Sequence, residues 1–217
     1  MTRFHYSPPP EAARILLADA HVLVVDKPAG LLSVPGRGED RADCLIKRLR
    51  VDFPTVLLVH RLDLDTSGVI VFALTADAQR DLGRQFETRS TSKAYTARLA
   101  GHLSPAEGRV DLPLIVDWPN RPRQHVNVET GRPAQTDWRV LSHDPDGTTR
   151  VALMPLTGRS HQLRVHMMEL GHPILGDTLY ASGAALDYPR LMLHALTLGF
   201  VHPATGEALD VTAPCPF

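Results

Sequence analysis

Two apolar runs with a polar segment between them dominate the hydrophobic pattern of this chain. Residues 56–59 (Val-Leu-Leu-Val) and 69–74 (Val-Ile-Val-Phe-Ala-Leu) are uninterrupted apolar runs, which are typical of strands covered on both faces. Residues 60–68 (His-Arg-Leu-Asp-Leu-Asp-Thr-Ser-Gly) separate them and are too polar for a core. A charged loop held between two rigid strands suits a reactive group, so the pattern predicts a functional loop here.

The remaining periodicity predicts a mixed α+β architecture. Helices are predicted at residues 40–51, from a Thr75 cap to about residue 86, and from a Ser160 cap to a stop at Gly171. Further strands are predicted at residues 21–25, 93–99, 134–142, 150–156, 191–201 and 208–212. Strands outnumber helices and do not alternate with them regularly, which argues against a doubly wound sheet.

The composition is that of an ordinary globular protein. The 217 residues are 43% hydrophobic and 22% charged, without the roughly 20-residue apolar run that a membrane span needs. The N-terminus lacks the apolar core of a secretory signal. Cys44 and Cys215 are too few and too far apart for a disulfide framework or a zinc site, so we expect a reducing, cytoplasmic location.

The net charge of −1 does not by itself indicate a nucleic-acid-binding protein. The distribution of charge along the chain is more favourable to nucleic-acid binding, because residues 80–98 contain five basic and two acidic side chains. Arginine supplies 20 of the 23 basic residues, and its planar group suits phosphate oxygens and base stacking. A GC-rich genome would produce the same preference for arginine.

The motif His-Arg-Leu-Asp at residues 60–63, followed by Thr-Ser-Gly at 66–68, resembles the signature around the nucleophilic aspartate of the RluA family of RNA pseudouridine synthases. Further similar segments lie at residues 31–37, 93–95, 117–122, 157–166, 171–177 and 193–195, so the resemblance covers about residues 15–214. It implies the pseudouridine synthase fold, which is α+β with a mixed, mostly antiparallel central sheet, flanking helices and a basic catalytic cleft. It also implies a single catalytic domain over residues 1–217 without an N-terminal S4-like domain.

Members of this family isomerise uridine to pseudouridine by cutting the C1′–N1 bond, turning the uracil and rejoining it through C5. The reaction has no net redox change and no energy input, so the resemblance implies an isomerase with no cofactor, no metal and no membrane partner. The implied RNA substrates are the tRNA anticodon stem-loop (uridine 32) and a hairpin of 23S rRNA (uridine 746). Two alternatives stay open: a synthase restricted to one of these RNA classes, and a non-catalytic protein that binds or folds RNA.

Asp63 matches the essential aspartate of the family, and a neighbouring cation would favour its ionised form. The residues leave open whether Asp63 attacks C1′, adds at C6 or acts through a glycal. They also leave open a structural ion pair or a turn cap. Asp65 could suggest a glycosidase-like carboxylate pair, but we expect it to bind backbone N–H groups of the turn at residues 66–68.

Arg61 and His60 precede the aspartate. A uridine in a stacked RNA loop must be extruded before its C1′ can be reached, and Arg61 matches the family arginine that enters the vacated place. An internal salt bridge to Asp63 or Asp65 is the alternative for Arg61. His60 is assigned to the substrate-binding region, with a structural or backbone contact as its expected role, because the reaction gives it no clear task.

Two residues of the predicted strand at 93–99 form a second candidate group. Lys93 and Tyr95 share one side of that strand; Lys93 is assigned to substrate binding and Tyr95 to catalysis. Tyr95 matches the family tyrosine that stacks on the flipped uracil and is placed to remove the C5 proton. Because a phenol is a weak base, a half-buried core tyrosine is the alternative.

Arg164 lies in the first turn of the last predicted helix, about 100° around the axis from the apolar stripe of Leu163, so burial in the core is not required. It matches the family arginine that pairs with the catalytic aspartate, and Leu163 would line the uracil pocket. The spacing of His161, His166 and His172 does not place ligands on one helical face, so no zinc site is predicted.

Residues 117–123 are predicted to contact RNA outside the pocket, through Arg121 and Arg123 with help from Trp118. A surface loop that packs on its own domain explains this segment almost equally well.

Overall fold

The computed structural model describes residues 5–217, which divide into two compact units. Unit 1 contains the chain up to Ser92 together with Ala195–Cys215, and unit 2 contains Lys93–His194 and Pro216–Phe217. That residues 1–217 form one catalytic domain stays a prediction.

Among residues 5–217 the regular structure consists of twelve strands, three α-helices and two short 3₁₀ helices. The strands are Arg14–Ala18 (β1), Val22–Lys27 (β2), Leu57–Leu58 (β3), Ser67–Ala73 (β4), Ser92–Leu99 (β5), Glu107–Asp111 (β6), Leu114–Val116 (β7), Gln124–Val126 (β8), Gln135–His143 (β9), Thr149–Pro155 (β10), Leu193–Val201 (β11) and Ala208–Thr212 (β12). The α-helices are Leu45–Leu49 (α1), Ala76–Glu87 (α2) and Gln162–Glu169 (α3), and the 3₁₀ helices are Glu39–Arg41 and Gly183–Leu186.

In unit 1 the strand order is β1-β2-β4-β11, with β3 also on β4 and β12 on β11. Strand β2 pairs antiparallel with both β1 and β4. Every residue of β4 is buried, as predicted for an apolar run covered on both faces, and α2 packs against this strand. Leu23, Phe72 and Leu82 are fully buried in this layer. The polar loop before β4 therefore leads into a strand that is buried along its whole length.

In unit 2 the antiparallel strands follow the order β5-β10-β9-β6, and β7 and β8 form a separate hairpin. The core of this unit is formed by apolar side chains from the sheet, such as Leu99 and Leu153, together with Leu163 and Met167 of α3. Helix α3 is buried over most of its length, including the polar residues Gln162, Arg164 and His166. Arg164, which lies on this helix, is therefore surrounded by the interior of unit 2.

Several local predictions are confirmed and others are corrected. Thr75 caps α2, because its Oγ1 accepts the Ala78 N–H at 3.2 Å. The predicted helix at residues 40–51 is wrong in extent, since only Leu45–Leu49 is α-helical and a 3₁₀ helix precedes it. The predicted strand at residues 56–59 shortens to β3, two half-buried residues that pair with β4.

No α-helix of the described chain is long and apolar enough to cross a membrane.

Candidate active site

The backbone on both sides of Asp63 is held by hydrogen bonds from the segment that follows β2. Ser33 Oγ donates to the carbonyl of Leu62 at 2.7 Å and accepts the Leu62 N–H at 3.2 Å. On the other side, the carbonyl of Leu64 accepts the Gly30 N–H at 3.0 Å. Asp63 itself is half-buried. Its position is therefore fixed through its two neighbours, while its side chain keeps part of its exposure.

Lys27 is a fully buried cation that contacts the same loop. Its Nζ donates to the carbonyls of Pro28, Leu31 and Leu64 at 2.9, 2.7 and 3.0 Å. These acceptors offset part of the cost of removing an ammonium group from water. No role was predicted for Lys27 from the sequence. The available signal was a lysine that directly ends a buried apolar strand.

Gly68 is the second residue of β4 and lies where this strand approaches β11 closely. Its φ is +113°, and a Cβ placed on it would lie 2.2 Å from the carbonyl oxygen of Ala195. Any other residue would have to push the two backbones apart, so glycine is required at this position.

Arg61 is exposed, and no ion pair joins it to Asp63 or Asp65 within unit 1 of the described chain. The internal salt bridge that was the alternative role for Arg61 is therefore not formed. His60 makes a structural contact, because its Nε2 accepts the Val71 N–H at 3.1 Å and its ring stacks on Phe86 with centroids 4.4 Å apart. Its assignment to substrate binding stays a prediction.

In unit 2, Lys93 and Tyr95 lie on β5 and are both half-buried. Tyr95 stands opposite Leu153 of β10 and packs against the core cluster that contains Leu163. A Cβ placed on Gly158 would be 4.0 Å from Lys93 Nζ, so Lys93 lies beside the loop that enters α3. The structure thus brings residues 93–95 next to the segment at residues 157–166 within one unit. The catalytic role of Tyr95 stays a prediction.

Arg164 is buried, with a side chain only 3% exposed, although its angle on α3 did not require burial in the core. Its Nε and one terminal nitrogen donate to the two carboxylate oxygens of Asp177 at 2.7 and 2.6 Å. Asp177 is fully buried, and its Oδ1 also accepts the N–H groups of Leu179 and Tyr180. The fork geometry fixes the plane and direction of the guanidinium. The predicted pairing of Arg164 with Asp63 stays a prediction.

The sequence analysis quoted residues 171–177 as a similar segment but gave Asp177 no role. Asp177 lies 13 residues after Arg164 and outside its helix, so helical spacing could not identify it as a partner of Arg164. The only available signal was an aspartate between an Ile-Leu-Gly sequence and an apolar segment.

Tyr180 connects three parts of unit 2. The guanidinium carbons of Arg123 and Arg164 lie 5.3 and 5.2 Å from its ring centroid. Its hydroxyl oxygen accepts the Gln124 N–H at 2.7 Å and lies 2.7 Å from Nδ1 of His161. Burial raises the pKa of Tyr180 to about 12, so the phenol is neutral at physiological pH. The neutral ring of Tyr180 therefore contacts the guanidinium groups of both Arg123 and Arg164.

The start of α3 differs from the predicted Ser160 cap. The residue before the helix is His161, which has a left-handed φ of 54° and makes no side-chain cap. Gln162 takes over part of that function, because its Oε1 accepts the Thr157 hydroxyl at 2.7 Å and the Arg159 N–H at 3.0 Å. A buried amide thus holds the 157–159 loop next to α3.

The hairpin connection at residues 117–123 places Arg121 and Trp118 together. The Arg121 guanidinium carbon lies 4.1 Å from the centroid of the Trp118 ring system, while Arg123 packs on Tyr180. The two arginines that were predicted together as RNA contacts therefore have different surroundings.

Two of the histidines that were considered as zinc ligands, His166 and His172, have partners within the protein. His166 Nδ1 lies 2.9 Å from the Thr136 hydroxyl and its Nε2 lies 3.1 Å from the Leu112 carbonyl, and burial lowers its pKa. His172 Nδ1 lies 2.8 Å from the carbonyl of Ala100. Over residues 5–217, no three His, Cys, Asp or Glu side chains come together as a metal site would require.

The chain belongs to a family of RNA-modifying enzymes, the RNA pseudouridylate synthases, whose family model matches residues 21–169. The dual-specificity RNA pseudouridine synthase RluA of Escherichia coli (strain K12) is 56% identical over 215 residues, covering 98% of each chain. RluA of Vibrio vulnificus is 47% identical and covers 100% of this chain and 89% of its own. The solved structure of human RNA pseudouridylate synthase domain containing 1 matches with a TM-score of 0.80 at 34% identity, over 97% of this chain and 87% of that one. The predicted family, fold and enzyme class are thereby confirmed.

Proposed function

We propose that this protein is a dual-specificity RNA pseudouridine synthase that isomerises uridine in both tRNA and rRNA. The observation that carries the proposal is 56% identity over nearly the whole chain to a synthase named for dual specificity. The pinned backbone around Asp63 supports it, because a reactive carboxylate is most effective when its position is fixed before the substrate binds.

The proposed chemistry conserves all atoms of the nucleoside. The C1′–N1 bond breaks, the uracil turns, a C1′–C5 bond forms, the C5 proton leaves and N1 gains a proton. We assign Asp63 as the nucleophile or anion, Tyr95 as the group that stacks on the uracil and accepts the C5 proton, and Arg164 as the cation that stabilises the carboxylate of Asp63. Leu163, Lys93 and His60 complete the proposed substrate site.

We propose the tRNA anticodon stem-loop and a 23S rRNA hairpin as substrates, with uridine 32 and uridine 746 as the modified positions. An enzyme of this kind recognises the shape of a folded loop and its unpaired bases more than a long sequence. Because both RNA classes act in the cytoplasm, we place the protein there.

The proposal is tested by tritium release from RNA labelled at uracil C5. The purified protein should release tritium from the tRNA stem-loop and from the rRNA hairpin in separate reactions, in amounts equal to the pseudouridine formed. Release from only one RNA would restrict the enzyme to that class. Binding of both RNAs without release would favour the RNA-folding alternative and overturn the proposal.

Arg61→Ala should slow single-turnover isomerisation about 10-fold or more while leaving the thermal unfolding temperature nearly unchanged. Arg61 is exposed and forms no ion pair within its unit, so its removal should not disturb the fold. Its proposed role is to occupy the place that the extruded uridine leaves, which makes extrusion more favourable.

Arg14→Ala is the matched control for this variant, because Arg14 is also an exposed arginine of unit 1 and lies on β1. Rates are measured with enzyme in excess over the tRNA stem-loop. If Arg61→Ala and Arg14→Ala both react at the wild-type rate, Arg61 has no part in the mechanism.

A further inference from the structure

The loop that connects β7 and β8 is held in one conformation by its own hydrogen bonds. The Asp117 N–H donates to the Arg123 carbonyl at 2.9 Å, and the Asn120 and Arg123 N–H groups donate to the carbonyls of Asp117 and Asn120, both at 3.1 Å. The Asn120 side-chain amide also donates to both carboxylate oxygens of Asp117. Residues 117–123 therefore do not need a ligand to become ordered.

This loop presents an exposed indole with a cation over it. Trp118 is 64% exposed, which is unusual for the largest apolar side chain, and Arg121 lies 4.1 Å above its ring. The remaining tryptophan of the chain, Trp138, is 4% exposed in the core of unit 2. An isolated exposed apolar residue would need no explanation, but this one is part of an ordered aromatic–guanidinium pair.

Arg123 has a different task in the same loop. It packs on the ring of Tyr180, whose hydroxyl accepts the N–H of Gln124 at the start of β8. The Tyr180 ring also lies beside the buried Arg164. Arg123 therefore attaches the loop to the interior of unit 2, while Trp118 and Arg121 remain at the surface.

We propose that Trp118 and Arg121 form a preformed stacking platform for an unpaired base of the RNA loop, other than the uridine that is isomerised. This inference rests on the proposed function. Unpaired RNA bases stack on aromatic rings and on arginine planes, and this stacking tolerates different bases because each has a π face. Because the platform is ordered in advance, little conformational freedom is lost on binding. It would also serve two different RNA loops, since it does not depend on base identity.

The first test separates binding from chemistry. Trp118→Ala should raise the KM for the tRNA stem-loop and for the rRNA hairpin about 10-fold, with kcat at saturating RNA within about twofold of wild type. Trp118→Phe should keep most of the affinity, because it retains an aromatic face. Leu141→Ala removes another exposed apolar side chain of unit 2, which lies on β9, and should change neither parameter. An unchanged KM in Trp118→Ala would overturn the proposal.

The second test uses tryptophan fluorescence and does not depend on the stability of the alanine variant. The difference between the wild-type and Trp118→Phe spectra isolates the signal of Trp118, since the chain has two tryptophans. Binding of the tRNA stem-loop should quench this signal. A set of stem-loops with single abasic positions should restore it when one particular base is missing.

Different results would contradict the proposed synthase activity and the proposed stacking platform. If the wild-type protein makes no pseudouridine, the proposed function is wrong whatever the fluorescence shows. If it makes pseudouridine while RNA leaves the Trp118 signal unchanged, the stacking platform is wrong and the proposed function is not affected.

Discussion

Asp63→Asn should reduce pseudouridine formation at saturating RNA by at least about 1,000-fold, which corresponds to about 4 kcal/mol of lost transition-state stabilisation. Asparagine has nearly the same shape but carries no charge and is a poor nucleophile. The bonds that hold the loop involve the backbone of Leu62 and Leu64 and not the Asp63 side chain, so the fold should be retained. Affinity for the tRNA stem-loop should stay within about threefold of wild type. Tritium release and filter binding measure the two quantities.

Two controls accompany this variant. Asp77→Asn makes the same change at an exposed position of α2 in the same unit and should leave activity unaltered. Asp65→Asn tests the carboxylate-pair alternative, which requires both carboxylates of the loop. Substantial product from Asp63→Asn would remove Asp63 from the reaction, whereas equal loss in Asp63→Asn and Asp65→Asn would favour a paired mechanism.

The sequence predicted the position of the reactive loop because the signal is local. The run at residues 69–74 must be buried on both faces, and β4 is buried along its whole length. The polar segment before it can only be a loop, whatever the rest of the chain does. The matching short motif then added the chemical role of Asp63.

Local signals fail where the partner is distant or the backbone is unusual. Burial of Arg164 could not be predicted from its angle on α3, because the compensating carboxylate of Asp177 comes from a later segment. Ser160 has a good capping side chain, but the left-handed backbone of His161 and the amide of Gln162 determine how the helix starts. Strands β1 and β6 to β8 were missed because none is longer than five residues, which is too short for a clear period. Strands β6 and β8 also contain a single Val each as their apolar side chain, whereas β1 (Ile-Leu-Leu) and β7 (Leu-Ile-Val) carried short apolar runs that were overlooked.

Asp177→Asn should lower the thermal unfolding temperature by about 10 °C. The asparagine oxygen can still accept the N–H groups of Leu179 and Tyr180, but its amide nitrogen would face a guanidinium that also only donates. Removing one member of a buried ion pair costs about 3–5 kcal/mol. For a chain of this length, 1 kcal/mol corresponds to about 2–4 °C. Differential scanning calorimetry measures the change.

Asp137→Asn is the matched control for that experiment. Asp137 also binds an arginine, Arg109, through both carboxylate oxygens, but this pair lies on the surface strands β6 and β9. Solvent screens an exposed pair, so the same substitution should leave the unfolding temperature nearly unchanged. Equal effects at positions 137 and 177 would show that burial of the Arg164 pair contributes nothing to stability.

A double variant separates the structural role of Arg164 from its proposed catalytic role. Arg164→Met combined with Asp177→Asn removes both buried charges and keeps a long side chain, so it should recover most of the unfolding temperature lost in Asp177→Asn. It should nevertheless be inactive, because the proposed mechanism needs the guanidinium itself and not merely a stable unit 2. If the double variant were stable and also formed pseudouridine at the wild-type rate, Arg164 would be a structural residue and another cation would have to stabilise Asp63.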